Sequence, residues 1–347
     1  MTKRLVIVAG EASGDAHAGR MISELKSLRP DIEISGIGGD SLRQSGVNVI
    51  IDFSELAVMG LVEVLKRYWH IKKIYNRLLQ HLRATKPDML ILVDYPGFNL
   101  KLAKDAKKMG IEVFYYISPK IWASRAGRIK KIKRYVDFMA VLFPFEVEIY
   151  EKAGVPVRCV GHPLVDAVHC GLSQPQAKAV LGINPEHRVL GLFPGSRRSE
   201  VDALLPIMVE AAERIHTRHL DVTIVLPQAP GLSLDYLKSK LAETDLPIKI
   251  VAGDFYQLVR SCDVIVAASG TVTLEIALLG VPHFIIYRVA PLTYKILKRM
   301  VLIPYVGLCN IVTDKPLITE LLQDEVTVER LDQELTHRLT DPRYGLT

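Results

Sequence analysis

A chain of 347 residues, 49% hydrophobic and 24% charged, has the composition of a folded protein with room for two cores, which excludes a disordered or fibrous chain. Its four cysteines, Cys159, Cys170, Cys262 and Cys309, lie far apart with no C-x-x-C pair, so neither a disulfide framework nor a zinc site is signalled and free thiols in a reducing compartment are expected. The formal net charge of +6 suits acidic partners, whether nucleic acid, anionic lipid or phosphorylated small molecules, without choosing among them.

The first apolar run, Arg4 to Ala9, reads as a buried parallel strand. It is too short for a signal-peptide core or a membrane span, so the protein is placed in the cytoplasm. Gly10 to Asp15 then reads as a tight polar loop before a helix over 16–28. A glycine loop after the first strand is where doubly wound folds approach a ligand. Its G-x-x-x-G spacing is not the dinucleotide fingerprint, so NAD is not expected. Glu11 and Asp15 add negative charge, which suits sugar hydroxyls or proton transfer better than phosphate. Asp15 could equally be a helix cap. Strands are expected over 32–37 and 47–51.

Residues 56–73 stand apart. Val58, Met59, Leu61, Val62, Val64 and Leu65 are too many apolar residues for a one-faced surface helix, and Lys66, Arg67, Tyr68 and Trp69 follow at once. The pattern fits either an interfacial face that meets membrane or acyl chains, or a helix buried in the core with solvated charges. It is too short and too charged to span a bilayer.

Met89 to Val93 is the next buried strand, with Asp94 at its carboxyl end. Ligands bind at such ends in open α/β sheets, so Asp94 is either a general base or a residue that holds the loop backbone. Strands at 113–117, 136–142 and 157–160 complete this half. Between the first two, the basic run Arg125 to Arg134 reads as a solvated face. Without an RNA-binding signature it does not argue for nucleic acid.

The alternation of strand and helix restarts after Gly161–Asp166, which predicts two domains, 1–165 and 166–347. Expected strands of the second half lie at 189–193, 222–226, 248–251, 264–267 and 283–286. Two of its turns suit anions. Gly195 and Ser196 sit between strand 189–193 and a helix beginning near Ser199, with Arg197 next to them. Ser269, Gly270 and Thr271 open another helix, and Glu275 one turn on could accept both hydroxyls of a ribose. Two such turns in one α/β domain point to a nucleotide site. His216 and His219, with no third ligand suggested, read as surface residues.

Several longer motifs carry a resemblance. Val8–Asp15, Glu55–Gly60, Tyr116–Ala123, Leu142–Glu146, Gly161–Asp166, Pro194–Arg197 and Ala268–Thr271 together resemble the lipid-A-disaccharide synthase family, in order and over nearly the whole chain. The resemblance implies a GT-B glycosyltransferase: α/β, with two Rossmann-like doubly wound domains facing a cleft. The implied reaction moves a 2,3-diacylglucosamine unit from UDP-2,3-diacylglucosamine to 2,3-diacylglucosamine 1-phosphate (lipid X). It gives a β-1,6-linked disaccharide 1-phosphate and UDP, with inversion, and neither metal nor cofactor is expected. Arg197, with Gly195 and Ser196, would face the diphosphate. Ser269, Gly270 and Thr271 would contact phosphate, Glu275 the ribose, and Asn310 would line the donor site. Asp94 is the first choice of base, with Glu11 and Asp15 in reserve. The 58–71 segment would meet the cytoplasmic face of the inner membrane, and a homodimer is left open.

Two departures are visible. The family's Pro-Asp-Phe-Asn is Pro96-Gly97-Phe98-Asn99 here, and the family usually continues past the position of Thr347 with another helical stretch. Rival readings are another UDP-sugar transferase or epimerase of the same architecture, a non-catalytic UDP-lipid binder, and a basic nucleic-acid-binding protein.

Overall fold

The computed structural model describes residues 2–56, 64–122, 126–289, 294 and 304–340, without the side chains at 64–68 and 126. The chain divides into two compact units, Met1–Pro163 and Leu164–Thr347.

The N-terminal unit alternates strand and helix: β1 (Arg4–Ala9), α1 (Ala12–Leu28), β2 (Glu33–Gly38), α2 (Asp40–Gln44), β3 (Asn48–Asp52), α3 (Val64–Thr85), β4 (Met89–Val93), α4 (Pro96–Lys108), β5 (Glu112–Tyr116), α5 (Ile129–Tyr135), β6 (Phe138–Val141), α6 (Pro144–Lys152) and β7 (Val157–Cys159). Its seven strands are parallel, in the order β3-β2-β1-β4-β5-β6-β7. Val6, Val8, Leu90, Leu92 and Val113 pack from the central strands against Ile74, Leu78 and Leu82 of α3 and Leu102 and Ala106 of α4. Helices on the sheet explain why these strands are continuous apolar runs rather than alternating ones.

The C-terminal unit follows the same plan: α7 (Leu164–Ala167), α8 (Gln174–Val180), β8 (Arg188–Phe193), α9 (Arg198–Arg218), β9 (Val222–Pro227), α10 (Leu234–Lys240), β10 (Ile248–Val251), α11 (Phe255–Ser261), β11 (Val264–Ala268), α12 (Thr271–Leu278) and β12 (His283–Tyr287). A short helix, Leu308–Thr313, then leads to β13 (Glu320–Leu322) and a helix over Val328–Thr340. Its six-stranded sheet is also parallel, ordered β10-β9-β8-β11-β12-β13. One core layer joins Leu205, Met208 and Ile215 of α9 with Leu331 and Leu335 of the last helix, and the other joins Phe193, Ile265 and Leu258.

Strand order reverses between β1 and β4 in the first sheet and between β8 and β11 in the second. Ligands bind outside the carboxyl ends of strands at such switch points. The loops there carry Gly10–Glu11 and Asp94–Tyr95 in one unit, and Gly195–Arg197 and Ser269–Gly270 in the other.

One expected loop is helix instead. α1 begins at Ala12, not after Asp15, because Glu11 takes the cap position with extended backbone (φ −146°, ψ 156°) and Asp15 N–H already donates to Glu11 O at 2.9 Å. β13 was not expected from the sequence: three residues beginning with a glutamate are too few to show a strand pattern.

Candidate active site

The C-terminal unit holds a cavity of about 810 Å³ at its switch point. Phe193, Pro227, Leu232, Val251 and Phe255 give it an apolar wall, and Gly195, Ser196, Arg197, Ser269, Gly270, Thr271 and Glu275 a polar one. The two anion-friendly turns and the acidic residue chosen from sequence therefore line one space. This size and mixture is what a small-molecule site shows.

Each polar group is placed by its element. Glu275 sits one turn into α12, where Tyr256 Oη donates to its Oε1 at 3.1 Å. Burial raises the Glu275 carboxyl above the ordinary carboxylate range, and the Tyr256 bond opposes the rise. A side chain at Gly270 would meet no protein atom within 4 Å, so the helix start at Gly270–Thr271 faces open space. Gly195 has a different reason to be glycine. Its φ is +111°, and a Cβ there would collide with the Glu200 carboxylate.

Glu200 is a residue that sequence reasoning passed over. Its Oε2 accepts the N–H groups of Ser196 (3.1 Å) and Arg197 (3.2 Å), and its Oε1 takes Arg197 Nη1 at 2.8 Å. The turn expected to offer free N–H groups to phosphate thus has two of them engaged by the protein. Glutamate in the first turn of a helix, three residues after Arg197, was the available signal. The Arg197 side chain is 79% exposed, and such a pair holds it by about 0–1 kcal/mol, weakly enough to release it to an anion.

Asn310 does not come to this cavity. It is 1% exposed and its amide is consumed by its own unit: Nδ2 donates to Ile318 O and Glu320 Oε1, both at 2.7 Å, and Oδ1 accepts from Ile318 N at 2.9 Å. A buried amide satisfied this way ties the Leu308–Thr313 helix to β13.

In the N-terminal unit, Asp94 follows β4 and is half-buried. Burial raises its carboxyl above the ordinary range and Glu11 adds to the rise, while Lys120, the Tyr95 N–H and Arg128 oppose it. Asp94 (φ 42°) and Tyr95 (φ 45°) are both left-handed, a conformation uncommon for aspartate and strained for tyrosine. Glu11 is exposed at the cap of α1, close enough to Asp94 for their charges to interact.

Asp15 is not available for chemistry. It is 3% exposed, and its carboxylate accepts N–H groups of Gly39 (2.6 Å), Ser41 (3.0 Å) and Leu42 (3.4 Å), capping α2 from across the fold. The expected cap of its own helix is not made: Asp15 lies inside α1, whose cap position Glu11 holds, and its carboxylate serves α2 instead.

Two histidines that sequence reasoning did not single out, His17 and His162, meet edge-on with ring centroids 6.1 Å apart. Burial, then the charges of His17 and Lys120, lowers His162 to about 4. Glu146 of the Phe143-Pro144-Phe145-Glu146 motif is buried. It accepts from Trp122 Nε1 (3.1 Å), Ser118 Oγ and the N–H groups of Leu142 and Phe143, pinning the loop after β5 to α6.

The 58–71 surface lies mostly outside the described residues: this holds for Val58, Met59, Leu61 and Val62, and for the side chains of Val64, Leu65 and Tyr68. Trp69 on α3 is described and is 63% exposed, with Lys72 Nζ 4.8 Å from its ring centre. Among the described residues no helix is long and apolar enough to cross a membrane.

Two parallel doubly wound units, one with a cavity at its switch point, have the architecture of a GT-B glycosyltransferase. Solved structures agree on the fold. A UDP-GlcNAc 2-epimerase from Neisseria meningitidis, bound to UDP-GlcNAc, superposes with a TM-score of 0.67 at 13% identity, covering 99% of this chain and 93% of that one. A glycosyltransferase from Rickettsia africae gives 0.57 at 11% identity, covering 99% and 90%.

Sequence gives the particular family. Residues 5–344 match the family described as lipid-A-disaccharide synthetase. The lipid-A-disaccharide synthase of Geobacter metallireducens is 48% identical over 98% of this chain and 88% of its own length, and that of Coxiella burnetii 44% over 99% and 90%. The chain belongs to the lipid-A-disaccharide synthase family.

Proposed function

We propose that this chain transfers a 2,3-diacylglucosaminyl unit from its UDP ester to the 6-hydroxyl of 2,3-diacylglucosamine 1-phosphate in one inverting displacement. Asp94 removes the hydroxyl proton, the freed oxygen attacks the anomeric carbon, and the bond from that carbon to the diphosphate oxygen breaks, releasing UDP. The observation that carries the reading, beyond family membership, is the cavity at the β8/β11 switch point, with Glu275 in its wall and the open start of α12 beside it.

In this reading the uracil lies on the apolar wall near Phe255 and Val251. Glu275, steadied by Tyr256, accepts the ribose hydroxyls. The N–H groups at Gly270 and Thr271 face the diphosphate with the positive end of α12 behind them. Arg197 leaves Glu200 to neutralise the charge that grows on the departing UDP. Donor binding then belongs to residues 164–347 and proton removal to the first unit, so catalysis requires both.

Glu275→Ala tests the donor site. Losing a charge-assisted hydrogen-bond acceptor costs about 1.5–3 kcal/mol, so the Kd for UDP should rise by about 10- to 100-fold in titration calorimetry. A Kd within twofold of wild type in a folded variant would remove Glu275 from the site.

Both proposed substrates carry acyl chains, and the reading places the enzyme on an anionic membrane surface through α3 and the segment before it. The exposed Trp69 ring beside Lys72, with Lys73 also exposed, supports this: an aromatic ring suits the interfacial region and lysines suit anionic headgroups. Trp69→Ser should reduce co-flotation with vesicles rich in phosphatidylglycerol at least threefold without changing UDP affinity. Unchanged flotation would locate the membrane contact elsewhere.

A further inference from the structure

The turn that presents Asp94 is held from behind by two fully buried side chains. Tyr115 Oη, reaching from β5, donates to Asp94 O at 2.6 Å. Asn99 Nδ2, from the first turn of α4, donates to the same oxygen at 2.8 Å and to Val93 O at 3.1 Å. Asp94 N–H donates to Tyr116 O at 3.1 Å. Both backbone polar groups of Asp94 are therefore engaged. Tyr115 and Asn99 are 0% exposed, so neither can exchange its partner for bulk water. The Asn99 amide can sit only this way round, because the reverse orientation would set its oxygen against two carbonyl oxygens.

These bonds act where the backbone is least willing. Asp94 and Tyr95 are consecutive left-handed residues without a glycine. Such a pair persists only where its surroundings over-determine it. The Tyr95 ring packs over Gly10, where any Cβ would come within 2.5 Å of a ring atom, and tilts against Phe98 at 6.1 Å. Left alone, the turn would relax toward ordinary backbone and swing the Asp94 carboxylate away from the end of β4. The two side-chain donors oppose that swing at the carbonyl of the very residue whose side chain is aimed.

We propose that Asn99 and Tyr115 form a positioning clamp: by gripping the Asp94 carbonyl they fix the left-handed turn and so aim the Asp94 carboxylate at the acceptor hydroxyl. They touch neither substrate in this account and act only through Asp94. The inference rests on the reading of Asp94 as the base. A base misplaced by about 1 Å loses rate on the order of a hundredfold. Loosening one of two donors should therefore lower kcat at least tenfold and leave KM for both substrates within twofold.

The test is a double-mutant cycle on the full chain, with turnover followed by radiolabelled donor in detergent micelles. Tyr115→Phe removes one hydroxyl from a buried ring. Asn99→Leu keeps the size and removes both N–H donors without adding a titratable group, so one variant remains if the other fails to fold. Each is made alone and in an Asp94→Asn background. The clamp predicts the tenfold loss of kcat in the single variants and less than a twofold further loss once Asp94 is gone. A merely structural role would lower kcat by the same factor in both backgrounds, and that result would overturn the clamp. So would folded single variants with wild-type kcat. If Asp94→Asn alone turns over normally, the base reading falls and the clamp falls with it, an outcome readable from that variant by itself.

Discussion

Replacing Asp94 with asparagine should cut kcat by about a thousandfold while UDP binds as tightly as before. Asparagine keeps the shape of the side chain and its tolerance for the left-handed turn, so the φ of 42° is not the reason for any loss. What disappears is the capacity to take a proton, and a positioned base contributes about 10² to 10⁴ in rate. UDP affinity is the control, because the cavity with Glu275 and the α12 start lies wholly in the other unit.

The wild-type pH profile adds a second reading of the same residue. Burial and Glu11 raise the Asp94 carboxyl, with Lys120, the Tyr95 N–H and Arg128 opposing. A base must be ionised to act, so a raised value moves the acid limb of kcat/KM to a higher pH than an ordinary aspartate would show. Glu11→Gln removes a charge that contributes to the rise and should move that limb back toward lower pH. A limb that does not move with Glu11, together with an active Asp94→Asn, would take the base role away from Asp94.

Asp15→Ala should destabilise the N-terminal unit by about 2–4 kcal/mol and leave the chemistry to whatever fraction remains folded. Three backbone N–H groups at the start of α2 lose their acceptor at once, and that of Gly39 is buried. Each orphaned buried donor costs about 1–3 kcal/mol, moderated where water can reach Ser41. Hydrogen exchange on the full chain resolves the effect by region. Peptides over 39–44 should lose protection, while those over 308–313 in the other unit should not. If Asp15→Ala instead abolished turnover with exchange unchanged, Asp15 would return to the list of catalytic carboxylates.

The strands were legible because parallel strands covered by helices are continuous apolar runs, and Met89–Val93 and Val264–Ala268 are such runs. The cavity of the C-terminal unit was legible for a related reason. Gly195–Arg197 and Ser269–Thr271 follow strands directly, and strand-end turns converge at a switch point whatever the sequence between them. Partners remote in sequence were not legible. Nothing in the local pattern of Asp15 tells that its carboxylate crosses to Gly39, Ser41 and Leu42 rather than capping its own helix. Asn310, which the resemblance set in the donor site, has its amide consumed by Ile318 and Glu320, partners that no local pattern announces. Glu200 lay in plain view three residues after the Pro194–Arg197 motif. Its capture of the Ser196 and Arg197 N–H groups still depends on the positive φ of Gly195, which brings the turn back over the helix start.

The most direct measurement of the central claim is the product formed by the purified full chain from UDP-2,3-diacylglucosamine and 2,3-diacylglucosamine 1-phosphate in detergent micelles containing EDTA. Mass spectrometry would show whether a disaccharide forms, and the anomeric proton coupling would give the new linkage. The account predicts one disaccharide 1-phosphate, β-linked through the 6-position, with one UDP released per bond formed. UDP release without disaccharide, an α-linked product, or a donor changed only in its sugar configuration would contradict it.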